Sequence, residues 1–222
     1  GGKTSKSFTV RVNPTLVTAP PQQTEAQPDE RDWYQRLLDR SYAELTFYNA
    51  QSGQTASGFN QNLSKAGVNA DVSQFDTSRA AGQIVWGFRY LDWSALELGF
   101  MDMGQVQVAL KINTTNKATL EQAFNDHYPV TGQGVTLGNR FRLNLFPNVD
   151  LTSEIGLFMW DGDIAVQDMD MDTSYDTSAD PYYGVGVSYQ FMKKAHLGAR
   201  LRRVAIDKDP IMLTGISLKY GF

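Results

Sequence analysis

The chain has 222 residues, enough for one good-sized domain with an appendage and too few for two large ones. A net charge of -4 with no basic stripe argues against a nucleic-acid partner, and the lack of cysteine removes disulfides, thiolate metal sites and cysteine nucleophiles together. No apolar run approaches the about 20 residues of a membrane helix. The mean hydropathy of -0.36 matches a soluble protein, but it is also what a transmembrane barrel gives, because each strand averages an apolar outer face with a polar inner one.

The chain opens on Gly1 with neither methionine nor signal sequence, which reads as a mature or excised form. Residues 1–13 contain SFTVRVN, a short alternating run read as a strand. Residues 14–30, rich in Pro, Gln and Glu, read as a linker. Over 31–41 a short helix is expected: Pro28 and acidic residues precede it, and Trp33, Leu37 and Leu38 fall on one side.

From residue 42 the pattern changes to alternation with a period of two. Eight segments carry it: SYAELTFYN, AAGQIVWGFRYL, SALELGFMDMG, GVTLGNRFRLNLF, LTSEIGLFMW, YYGVGVSYQFM, HLGARLRRVA and IMLTGISLKYGF. Three connections are short, around Asp92, at 147–150 and at 193–195; three are long, covering roughly 50–78, 104–133 and 161–180; the last, IDKDP, is brief. Short turns on one side and long loops on the other are the signature of an outer-membrane barrel. The expectation is an all-β fold, an eight-stranded antiparallel up-and-down transmembrane barrel over 42–222.

Sorting the strands by parity puts Leu45, Ile84, Leu98, Leu137, Leu157, Val187, Leu201 and Leu218 on one face, with almost nothing charged among them. The other face carries Glu44, Arg89, Glu97, Arg140, Arg142, Glu154, Arg200, Arg202 and Lys219, interleaved with glycines. A soluble barrel would bury the first face and show the second to water. Opposite charges at mid-strand, set among glycines, suit instead a narrow interior in which they must pair. The apolar face then meets lipid. Trp86, Tyr90, Trp93, Tyr189, Phe191, Tyr220 and Phe222 read as its interfacial girdle, where amphipathic rings sit at headgroup depth.

Together, GFRYLDWSALELGFMDMGQV, VTGQGVTLGNRFRLNLFPNVDLTSEIGLFMWDGD, PYYGVGVSYQFMKKAHLGARLRRVAID and LTGISLKYGF resemble the OmpA-like eight-stranded outer-membrane barrels of Gram-negative bacteria, over about residues 42–222. The resemblance implies a bacterial outer-membrane location with both termini periplasmic, and a last strand, with Tyr220 and Phe222, that the barrel assembly machinery reads as an insertion signal. The chain departs from the pattern by about forty residues before the first strand. There SFTVRVN and its linker look like the end of an upstream immunoglobulin-like module.

Three chemistries are weighed against an anchoring role. In the acidic stretch 161–180, Asp168, Asp170 and Asp172 have the first spacings of a calcium loop, but Thr173 stands where its glycine should be and Ala179 where its bidentate glutamate should be. A lipid A or phospholipid enzyme would need a base beside a nucleophile, and neither His127 nor His196 has an obvious serine partner. A narrow pore is the third, and eight strands enclose a space that side chains fill. The expectation is therefore a non-enzymatic anchor without cofactor. Its partners are outer-membrane lipids and lipopolysaccharide, with a further protein partner at the N-terminus or the outer loops.

Overall fold

The computed structural model describes residues 32–75, 78–106, 108–112, 119, 122–123, 132–164, 173–174, 177–206 and 210–222. The expected strand at 1–13 and linker at 14–30 lie outside them. Apart from Asp32, the described residues belong to one compact unit, Trp33–Phe222.

A short helix α1 (Trp33–Asp39) leads directly into β1 (Ser41–Gln51). Helix α2 (Ala56–Lys65) and strand β2 (Ala70–Phe75) follow, then β3 (Ser78–Leu91), β4 (Ser94–Asp102), β5 (Val108–Ile112) and β6 (Gln133–Phe146). The chain continues through β7 (Val149–Asp161), β8 (Asp163–Ile164), β9 (Thr173–Ser174), β10 (Ser178–Met192), β11 (Ala195–Val204) and β12 (Ile211–Gly221). Strands β1, β3, β4, β6, β7, β10, β11 and β12 close into one antiparallel barrel in chain order, and β1 completes the ring by pairing with both β3 and β12. Leu45 stands opposite Ile84 on one side and Leu218 on the other. These are the eight segments that the alternation marked.

The short connections gather at one end. They are the pairs Asp92–Trp93, Pro147–Asn148 and Lys193–Lys194, and a register shift precedes each, at Arg89/Leu91, Asn144/Phe146 and Gln190/Met192. Asn148 takes φ 66, the left-handed conformation that asparagine tolerates better than most side chains.

Along the strands burial alternates as the pleat requires, most regularly in β7. The apolar set points out of the barrel. Trp86 is 43% and Leu218 52% exposed, and Ile84, Leu98, Leu157 and Val187 share that face. An apolar band running right round a closed barrel is far larger than the patches a water-soluble monomer shows, and strands of 9 to 15 residues are long enough to cross a bilayer. Hydrocarbon, then, is the solvent of this surface.

Inside, the inward positions divide along the barrel axis. The half toward the long loops is an apolar plug of Tyr48, Met101, Phe158, Trp160, Tyr182, Ile211 and Leu213. Paired charges fill the middle, further charged side chains line the turn end, and Arg79 is buried at the loop end, its Nε donating to Met103 O. The large rings fit because glycines face them. A Cβ at Gly87 would lie 2.1 Å from the Tyr42 ring, and one at Gly138 would lie 2.2 Å from the Tyr182 hydroxyl. These inward glycines thus trade strand propensity for room.

At the loop end two long connections carry their own structure, which the alternation did not reveal. Helix α2 begins on an N-cap, Thr55, whose hydroxyl accepts from Gly58 N at 3.2 Å. It ends at Gly67 with φ 80, where Gly67 N donates to Ser64 O and Val68 N to Leu63 O, a Schellman termination with Leu63 and Val68 both buried. The two loops meet through β2 and β5, which pair antiparallel from Ala70↔Ile112 to Phe75↔Val108.

Candidate functional site

The ionic belt is built by strands far apart in sequence whose inward positions share one level. Three carboxylates, Glu44, Glu97 and Glu154, face three guanidiniums, Arg140, Arg200 and Arg202. Arg140 reaches Glu44 Oε2 and Glu97 Oε1, each at 2.6 Å. Arg200 bridges Glu44 at 2.5 Å and Glu154 at 2.9 Å, and Arg202 Nε meets Glu154 Oε1 at 2.6 Å. All six are buried, Arg202 completely. Such pairs offset the cost of leaving water only because nearly every oxygen is engaged. Tyr42 donates its hydroxyl to Glu97 at 2.5 Å. Arg202 also donates to Gln83 at 2.8 Å and lies 4.4 Å from the Tyr182 ring centre, a cation–π contact joining the belt to the apolar plug.

Of the charged residues picked from sequence, the structure brings these six together and leaves three apart. Arg89 donates to the backbone carbonyls of Asp39, at 3.2 Å, and Arg40. Arg142 approaches Asp150 at 3.7 Å, and Lys219 sits 5.6 Å from the Tyr42 ring centre. These three line a cavity of about 220 Å³ at the turn end, together with Asp92, Lys193, Lys194 and His196, and Tyr42 and Arg140 of the belt form part of its wall. Sequence reasoning missed Tyr42 and Tyr182 as belt partners. Their inward parity was the available signal, but an uncharged side chain does not announce a charged neighbour.

The expected girdle residues other than Trp86 lie toward the turn end. Trp93 stacks on Phe141 with ring centres 6.0 Å apart, and Tyr220 meets Phe222 edge-on at 6.2 Å. Tyr90 accepts from Asn139 Nδ2 and shares a hydrogen bond with Ser94, both at 2.7 Å, which satisfies three polar groups on the apolar face. Tyr189 and Phe191 are exposed beside the Lys193–Lys194 turn. Trp86 does not join this ring: it pairs with Ala43 and Leu98 well inside β3 and belongs to the apolar band.

Asp168, Asp170, Asp172 and His127 lie outside the described residues. His196 does gain a serine neighbour, since it and Ser188 both line a cavity of about 10 Å³. However, Ser188 Oγ and His196 Nδ1 are both buried with no hydrogen-bond partner among the described residues, so nucleophile and base are not joined.

Several solved structures resemble the chain. The N-terminal β-barrel domain of OprF from Pseudomonas aeruginosa is 13% identical, with 83% of this chain and 98% of that one covered and a TM-score of 0.48. OprG, an outer membrane protein of the same organism, is 11% identical, covering 84% and 98% with a TM-score of 0.47. Neisserial surface protein A is 13% identical, covering 82% and 97% with a TM-score of 0.45. Among curated proteins none matches the chain. The family model of the OmpA-like transmembrane domain matches residues 43–205, all but the first residues of β1 and the closing β12. A closed eight-stranded barrel, apolar outside and ionic at its waist, together with that match places the chain in the OmpA-like transmembrane domain family of bacterial outer-membrane barrels.

Proposed function

We propose that the protein is a non-enzymatic outer-membrane anchor, its barrel fixing the upstream segment to the periplasmic side while the loop end serves for contact or adhesion. The observation that carries this reading is the filled lumen. The belt of three carboxylates and three guanidiniums, with the apolar plug above it, occupies the interior that a transport protein would keep open. Eight strands return the chain to its starting side, which favours both termini in the periplasm with the short turns. The unjoined Ser188 and His196 favour a structural over a catalytic role.

At the loop end, Arg203 opposite Tyr183 and Met212 adds a cation suited to lipopolysaccharide phosphates. The last strand, with Tyr220 and Phe222, serves insertion by the barrel assembly machinery. Because the chain has no cysteine, single cysteines test its orientation directly. An impermeant thiol reagent should label Asn60→Cys in intact cells and Asn148→Cys only after the outer membrane is opened. The reverse pattern would turn the barrel over and end the anchoring role as stated.

A further inference from the structure

The cavity at the turn end is unlike the belt next to it. Belt charges balance, three against three, and leave no carboxylate over. The cavity's charges do not balance. Arg89, Arg140, Arg142, Lys193, Lys194 and Lys219 line it, against Asp92, the terminal residue Phe222 and, within 3.7 Å of Arg142, Asp150. Arg89 donates to carbonyls alone, and Lys193, Lys194 and Lys219 have no ion pair among the described residues. His196 adds an Nδ1 that is buried and has no hydrogen-bond partner there.

Gathering an excess of cations around one recess costs free energy through their mutual repulsion unless an anion joins them, and the walls of a cleft focus the field that draws it in. We propose that this turn-end mouth is a binding site for a phosphate-type oxyanion carrying more than one negative charge. A carboxylate would neutralise a single cation. Phosphate oxygens can accept from several of the lining groups at once: the Arg142 guanidinium, the part of the Arg89 guanidinium not donating to the Asp39 and Arg40 carbonyls, and the Lys193, Lys194 and Lys219 ammoniums. About 220 Å³ admits a phosphate or a pyrophosphate group and excludes a nucleic-acid strand. The same chemistry has two sources, a free phosphate compound or a phospholipid headgroup bending over the rim. The site stands apart from the anchoring role and does not depend on it.

The test uses the full chain in an uncharged maltoside detergent, with inorganic phosphate and pyrophosphate titrated by calorimetry at low ionic strength. Pyrophosphate should bind saturably, one per barrel, more tightly than phosphate and more weakly as salt is raised. Lys219→Met, and separately the rim variant Lys193→Gln with Lys194→Gln, should each weaken binding by about tenfold or more, the loss of at least one charge-assisted contact. Lys65→Gln at the loop end should leave it unchanged. The rim variant lies on an exposed turn and keeps the test valid if Lys219→Met folds poorly. Without binding in micelles, a phosphorus resonance of phosphatidylglycerol shifted by wild type and not by the rim variant, in nanodiscs, would assign the anion to the lipid. Absence of binding in both settings, or equal binding by the variants, would overturn the site.

Discussion

Glu154 is the residue on which the belt turns, since Arg200 and Arg202 both end on it. Replacing it by glutamine keeps the shape but removes the charge facing two buried guanidiniums. The expected loss for Glu154→Gln is about 3–5 kcal/mol, the range for breaking a buried pair from one side. The midpoint of urea unfolding in detergent, read from the heat-modifiable gel shift, checks it, and a change below about 1 kcal/mol would mean that water reaches Arg202 after all. From sequence, Glu154 was legible as an inward charge because parity decides which face a strand residue takes. Its partners were not, since which of several inward arginines shares its level depends on the stagger between strands.

At the scale of a single strand, β10 offers a clean contrast. Val187 points out and is 45% exposed, while its neighbours Gly186 and Ser188 point in, Gly186 close against the Thr152 and Arg200 side chains. Val187→Arg should destabilise the barrel in lipid by about 2–4 kcal/mol if the position lies near mid-bilayer. Reversible unfolding into phospholipid vesicles measures it, and a negligible effect would contradict the outward assignment. Helix α2 makes the complementary point. Thr55 and Gly67 cap it at its two ends, yet the helix has a weak apolar stripe, only Phe59 and Leu63 being buried. Its packing within the loop end, rather than its own periodicity, holds it, and such packing leaves little periodic trace in the sequence.

For the whole molecule, the filled lumen predicts behaviour in a planar bilayer. Among the described residues belt and plug fill the interior with buried side chains, so the purified barrel should show no stable single-channel conductance. Steady ohmic steps would restore the narrow-pore alternative. The same closure predicts a compact form that migrates faster unheated than boiled, because each of the eight barrel strands has two neighbours and the barrel no edge from which unfolding can start.

Strand number, the order of short and long connections, and the outward face were all written in the chain, because alternation with period two is imposed by the pleat wherever one side meets a different solvent from the other. What the tertiary structure alone decided is how the interior divides along the barrel axis. Met101, Phe158 and Ile211 share inward parity with Glu97, Glu154 and Ser217, so nothing in the pattern separates plug from belt. The same holds for Arg89 and Lys219 at the turn end against Arg140 in the belt. Parity carries no information about height, and height is set by the tilt and register of closed strands, which exist only once β1 has met β12.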